Sequence, residues 1–216
     1  METPFTVESS ITLYAQWEQV MYRGETTKFT LEDGTVEEYD IVGELNKRWL
    51  YDNGFIDNYQ ILNFTWVKRI TELDIGSHVT DITGLSLNGC SSLVRLSLGD
   101  GITVCNGSFA NCTSLVTVAF GSNLRQIYTS AFEGCSALRR VVIPDNVVSI
   151  MSNAFIDSGI THLFVGQGVE NIGAFAFSGC SHLTYAVIGG NVETIGQYAF
   201  SGTSYYLTMV FLGKTE

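Results

Sequence analysis

Four of the five cysteines in this chain, Cys90, Cys112, Cys135 and Cys180, recur at steps of 22, 23 and 45 residues. Thiols at a fixed interval can form disulfides, hold a metal or act as nucleophiles, and the interval decides among these. A zinc site needs closely spaced ligand pairs, and none exists. Ser158 and Thr203 fall in the same series. A slot that takes Ser or Thr as readily as Cys asks for a small, weakly polar side chain. Adjacent members are close enough for bridges to be conceivable, but the series predicts buried free thiols. The three histidines, His78, His162 and His182, lie in no local motif with a nucleophile or carboxylate. G-x-S-x-G, H-E-x-x-H and phosphate-cradling glycine loops are missing too, so the sequence predicts no enzyme, no catalytic residue and no cofactor. Asp52, Asn53, Gly54, Asp57 and Asn58 crowd oxygen ligands together without the spacing of a calcium loop, and read as a solvated turn rather than a metal site.

The cysteine series is one column of a longer pattern. Three residues before each member stands Leu87, Phe109, Phe132, Phe155, Phe177 or Phe200, and before those Ile82, Val104, Ile127, Ile150, Ile172 or Ile195. After the small residue come Leu93, Leu115, Leu138, Ile160 and Leu183; then Leu96, Val118, Val141, Leu163 and Ala186; then Leu98, Phe120, Ile143, Val165 and Ile188. A period of 22 or 23 residues with fixed apolar slots describes a unit that cannot bury its own apolar face and must stack on copies of itself. The apolar-x-apolar runs, such as Leu96 to Leu98 and Val141 to Ile143, have the period of a strand with one face in a core. The small-residue-rich runs SAFEGC and FAFSGC read as a helical turn or 3₁₀ piece. Phe132, Phe155, Phe177 and Phe200 are expected to stack as a buried aromatic ladder.

These columns resemble the BspA-like leucine-rich repeats, whose unit has the form L-x-x-L-x-I-P-x-x-V-x-x-I-G-x-x-A-F-x-x-C. The likeness covers about residues 70 to 212 and is carried by IYTSAFEGC, IMSNAFIDS, IGAFAFSGC and IGQYAFSGT, with Ile143 and Pro144 keeping the I-P pair. The two earliest units depart from it, as end units of a stack do. The resemblance implies an α/β repeat solenoid: a right-handed leucine-rich-repeat superhelix of 22–23-residue coils with a parallel β-sheet on its concave face. It also implies a bacterial surface protein engaged in adhesion.

Composition agrees with one solenoid and a small N-terminal part. Hydrophobic residues make up 45 % and charged residues 15 %, and 22 Gly against 2 Pro suits a turn-dense β chain. The net charge of −11 argues against nucleic acid or an anionic membrane as partner. No run of 18 apolar residues appears, which argues against membrane insertion. The opening METPFTVESS lacks the form of a signal peptide, and the chain reads as cut from a longer, extracellular or cell-surface protein. Ile11 to Trp17, ITLYAQW, resembles the closing strand of the Listeria–Bacteroides repeat, so residues 1–19 read as the remnant of an upstream β module. Thr27 to Leu31 and Thr35 to Val42, joined through Asp33 and Gly34, predict a hairpin. Glu44 to Tyr51 predicts a short helix ended by Asn53 and Gly54. Residues 20–69 are thereby expected to cap the solenoid of residues 70–216.

The strand register allows the outward residues to be named. One file is expected to hold Glu72, Arg95, Thr117, Arg140, His162, Tyr185 and Met209. The other holds Asp74, Ser97, Ala119, Val142, Phe164, Val187 and Phe211. The candidate binding residues are Arg95, Arg140, Val142, His162, Phe164, Tyr185, Val187, Met209 and Phe211, with a protein or glycan ligand as partner. The competing expectation is a structural spacer that holds other modules away from the cell. At the C-terminal end, Leu207, Val210 and Leu212 are expected to face the core of a seventh strand, with Tyr205 and Tyr206 as a partial lid. An open last coil predicts either a chain that continues past Glu216 or a weak end-to-end homodimer through that coil.

Overall fold

The structure, a computed structural model, describes residues 24–54, 70–85, 87–106 and 109–213. The ITLYAQW strand, the Asp57–Asn58 part of the acidic turn and the far ends of the expected cap lie outside these residues.

The coils contribute one strand each to a broad sheet, and five of them contribute a two-residue strand to a narrower one. The broad face comprises β4 (Ile70–Asp74), β6 (Arg95–Ser97) and β8 (Thr117–Ala119), then β10 (Arg140–Ile143), β12 (His162–Val165), β14 (Tyr185–Ile188) and β16 (Thr208–Phe211), in two parallel ladders. On the other side β7 (Val104–Cys105), β9 (Gln126–Ile127), β11 (Ser149–Ile150), β13 (Asn171–Ile172) and β15 (Thr194–Ile195) form a third parallel ladder. Residues of one sequence column pair directly: Val141 with Leu163, Leu163 with Ala186, and Ile150 with Ile172. The columns therefore become rows of one continuous core, and Leu96, Val141, Ile143, Leu163 and Ile188 have no exposed surface. Phe109, Phe132, Phe155, Phe177 and Phe200 stack through it. Their successive centroids are 5.7, 5.2, 5.3 and 5.3 Å apart with nearly parallel planes. Phe200, in the last of these coils, is half-buried.

Two expectations about the turns are corrected. The run around each Phe is not a helical piece. Ala131, Glu133 and Cys135 donate backbone N–H bonds back three residues within their coil, while Phe132 and Gly134 donate to Ala154 and Ile156 of the next. Alternate amides are thus given to the neighbouring coil, which a 3₁₀ helix would not allow. The alternation needs left-handed backbone, at two positions in each of the four coils from Phe132 to Phe200. The first is Ser130, Asn153, Phe175 and Tyr198; the second is Gly134, Asp157, Gly179 and Gly202, and Gly89 and Asn111 hold it in the two coils before. The second correction is that Cys105, not Val104, fills the Ile slot of its coil. Cys105 pairs with Ile127 and is fully buried, whereas Val104 pairs with Gln126 on the outer side.

Two further columns hold the coils together. Val79, Ile102, Leu124, Val147 and Val169 form a seventh buried row, with Val192 packed on its end. Gly76, Gly99, Gly121, Gly166 and Gly189 end the broad-sheet strands, with Pro144 in the same column. A Cβ added at Gly121 would lie 2.3 Å from the Gly99 carbonyl oxygen, and one at Gly166 would lie 2.6 Å from the Pro144 carbonyl carbon. Coils can approach this closely only where no side chain intervenes.

The N-terminal residues continue the sheet. β1 (Thr27–Leu31) and β2 (Val36–Tyr39) form the hairpin that Asp33–Gly34 predicts, with Gly34 at φ 83°. β1 pairs antiparallel with β4, so the hairpin covers the first edge of the solenoid. The helix is shorter than expected. Gly43–Glu44 is a strand, β3, that pairs with β5 (Val79–Asp81), and α1 runs over Lys47–Asp52 only. Its N-terminus is set by Asn46, whose side-chain oxygen accepts a bond from the Trp49 N–H at 2.9 Å. Leu45 and Leu50 are buried, and Trp49 stacks on Phe29 at 5.9 Å.

At the other end, Tyr205 and Tyr206 are 99 % and 82 % exposed and form no lid. The β16 register pairs Thr208 with Tyr185, Met209 with Ala186, Val210 with Val187 and Phe211 with Ile188. Met209 and Phe211 therefore continue the core-facing rows, and Thr208 and Val210 occupy the outward files. The expected order is reversed because the extra residue before Leu207 does not carry through the strand: Thr184 still accepts from the Thr208 N–H.

Phe155→Ala is expected to destabilise the chain by about 3–5 kcal/mol in denaturant unfolding, as a large-to-small change in a close-packed row. Gly166→Ala should lower the melting temperature through backbone overlap worth about 1–3 kcal/mol. Gly213→Ala, which points into open space, should leave the melting temperature unchanged.

Candidate functional site

The broad sheet displays its outward files as two chemically distinct halves. At the N-terminal end Arg95 donates from Nη1 and Nη2 to the two Asp74 carboxylate oxygens, each at 2.8 Å, and from Nη2 to Glu72 Oε2 at 2.9 Å. Those bonds to Glu72 and Asp74 outweigh the effect of burial and hold the Arg95 proton more firmly than usual. A guanidinium bound by two carboxylates joins neighbouring strands and has little left to offer a ligand. Arg95 is thus placed on the face, but apart from the other candidates and already engaged.

The C-terminal half is built from β10, β12, β14 and β16. His162 pairs with Tyr185 across the ladder, and their rings are 6.2 Å apart. Phe164 lies diagonal to Tyr185, at 6.1 Å. Alternation along each strand points all three rings outward, and all are partly exposed. Val142 and Val210 flank them in the second file and are also partly exposed, while Val187 is only 5 % exposed between its neighbours. Arg140 is exposed beside His162 on the adjacent strand. Burial, reinforced by the Arg140 charge, lowers the affinity of His162 for its proton. Its imidazole is therefore neutral at pH 7. The structure brings Arg140, Val142, His162, Phe164, Tyr185 and Val187 together, and leaves Met209 and Phe211 to the core-facing rows. Thr208 and Val210 take their places. The pairing of Thr208 with Tyr185 at the regular 23-residue interval is the signal that identifies them.

The other candidates for chemistry are structural. All five thiols are free and buried. The Sγ of Cys112 donates to the Leu87 carbonyl, Cys135 to that of Phe109 and Cys180 to that of Phe155, each at 3.2 Å. Each of these thiols satisfies an acceptor in the preceding coil, and Ser158, in the same column, bonds to Cys180 Sγ of the next coil at 3.2 Å. Burial raises every one of them, to about 11 for Cys90 and Cys180 and about 12 for Cys135, so none is a thiolate at neutral pH. His78 Nδ1 is bonded to the accepting Asp40 Oδ1 at 2.8 Å, across the join between hairpin and first coil. Asp52 is taken by Arg48 at 2.7 Å, and the Asn53 amide donates to Trp49 O. Among the described residues no three metal-ligating side chains converge. The arrangement that remains is a sheet surface with three rings, small aliphatic side chains and one cation at its border. Such a surface offers shape and apolar contact.

Comparison with known proteins agrees with this architecture. The model of the BspA type leucine rich repeat region matches six copies, over residues 62–163 and 102–215. The leucine-rich repeat protein of T. pallidum, TpLRR, is similar in structure, with a TM-score of 0.56 and 21 % identity over 87 % of this chain and 79 % of that one. A leucine-rich repeat protein of Bacteroides ovatus aligns at 0.47 with 20 % identity, and a leucine rich cell surface protein of Faecalibacterium prausnitzii at 0.46 with 18 %. They are matched over 90 % and 80 % of this chain, which spans 53 % and 54 % of theirs. No curated protein sequence matches.

The proton affinity of His162 has a measurable consequence. The folded chain takes up this proton at lower pH than the unfolded chain, so the stabilising contribution of neutral His162 is present above about pH 6.5 and lost as pH falls below it. His162→Gln is expected to lose less melting temperature than the parent protein between pH 7.5 and 5.5. An equal loss in both would place the acid sensitivity elsewhere.

Proposed function

This chain belongs to the BspA-type leucine-rich repeat family, and on that premise we propose that it is a non-enzymatic binding module, displayed outside the cell, whose broad sheet face engages a partner protein. The observation that carries the reading is the half-exposed cluster of His162, Phe164 and Tyr185, bordered by Val142, Val210 and Arg140. Contiguous exposed patches of this kind mark interaction sites. Aromatic and arginine side chains with few other charges are the composition of a protein interface core. The N-terminal half of the same face is polar and closed by the Arg95 ion cluster, which confines the contact to β10–β16.

A structural spacer remains the competing reading, and one observation favours it. Val187 is 5 % exposed, so part of the outward file is covered by its own neighbours and stabilises the ladder whatever binds it.

The two readings differ in one experiment. Phe164→Ser with Tyr185→Ser is expected to reduce attachment to immobilised host extracellular-matrix proteins by tenfold or more while the circular dichroism spectrum is retained. Unchanged attachment by the folded double variant would exclude this face as the site.

A further inference from the structure

The first left-handed position of each turn stacks coil on coil into a ridge that reads Ser130, Asn153, Phe175, Tyr198. Their φ angles are 57, 59, 57 and 57°. The ridge is tied into the stack by bonds from the Ser130, Asn153 and Phe175 amides to the Ser152, Ala174 and Gln197 carbonyls, at 3.3, 3.0 and 3.0 Å. Asn suits this backbone because its short polar side chain tolerates it, and Ser is small. A bulky ring with a Cβ does not suit it. Phe175 and Tyr198 nevertheless occupy the last two places, and both keep an exposed surface, 38 % and 56 %. Their rings lie 5.2 Å apart, tilted by 33°. The fold at this position asks for Asn, and the chain holds two exposed aromatic residues instead. Strained backbone held at an exposed position is a feature of sites that do something else.

We propose that this ridge is a second binding site, for a neutral oligosaccharide. Adjacent rings at coil spacing form a stepped platform for the apolar faces of successive pyranose units. Asn153 and Ser130, next along the same ridge, and the Tyr198 hydroxyl supply donors and acceptors for ring hydroxyls. The neutrality of the ligand follows from the neutrality of the ridge. In a chain of net charge −11, neither the ridge nor the row before it, Thr129, Ser152, Ala174 and Gln197, holds a charged side chain. The nearest carboxylate in sequence, Glu133, belongs to the Ser130 coil, at the end away from the rings. An acidic glycan would find no cation on the ridge and a basic peptide no carboxylate on it, since Asp157 turns its Oδ1 against Gly179 at the other left-handed position of the turn. This site stands apart from the sheet face and does not depend on the function proposed for it.

The test uses the full chain in native affinity gels containing mannan, laminarin or dextran, with heparin and polygalacturonate as charged counterparts. Retardation by at least one neutral polysaccharide is expected, with the apparent dissociation constant rising tenfold or more in Phe175→Asn/Tyr198→Asn. Because Asn is at home in this backbone, that variant should melt no lower than the parent. Phe164→Ser/Tyr185→Ser should bind the polysaccharide as the parent does. The proposal is overturned if no neutral polysaccharide retards the chain, if only the charged ones do, or if the Asn variant binds equally well. It is equally overturned if the Asn variant melts several degrees lower, which would make the aromatic pair a structural support.

Discussion

The constraint on which this molecule depends is the bonding of each coil's backbone to the next at a single repeat distance. Strand amides do this along both sheets, and the alternate amides of the Phe turns do it between them, so most of the circumference of a coil is committed to its neighbours. Once that is so, a residue in one coil can pair only with its column-mate in the next. Every column must then be filled by side chains that tolerate their own kind at about 5 Å. Parallel phenylalanine rings meet that demand, and so do small residues that donate a hydrogen bond to the coil behind. The glycines that end the broad-sheet strands meet it by having no side chain. An ordinary core is a jigsaw of unlike pieces, whereas this one is a set of rows.

That regularity is why so much of the fold can be read from sequence. Isoleucine, leucine and phenylalanine at 22 or 23 residues identify the rows before any coordinate does, and Asp33–Gly34 identifies the hairpin because few dipeptides accept its backbone. The turns are harder to read. Left-handed residues and helical residues are drawn from the same small and polar amino acids, so SAFEGC is compatible with a helical turn until the destination of each amide is known. The glycine column and the Val79–Val169 row recur at the same period. They are masked by the abundance of Gly and Val throughout the chain. Val104 and Cys105 show the limit at the scale of one residue, since both are small, apolar and adjacent, and only pairing with Ile127 decides between them.

The candidate face divides in the same way. Outward files follow from alternation, so Arg140, Val142, His162, Phe164, Tyr185 and Val187 fall where the pattern puts them. Met209 and Phe211 do not, because one added residue upstream of Leu207 looks from sequence like a shift of the whole strand, whereas the backbone absorbs it locally. The engagement of Arg95 with Glu72 and Asp74 is invisible in sequence for another reason. Arg95 stands 21 positions from Asp74 and 23 from Glu72, and only the parallel register makes them neighbours.

The ladder between coils also gives the molecule a direction of weakness. Tension applied along the stack pulls on one interface at a time, and each interface carries its hydrogen bonds roughly along the line of pull. They open in sequence instead of sharing the load as strands sheared past one another do. Each coil that lets go releases 22 or 23 residues, a contour length of about 75–80 Å. Under load the solenoid would behave as a spool, paying out chain in equal steps from its weaker end. The coils still wound would keep their own faces intact.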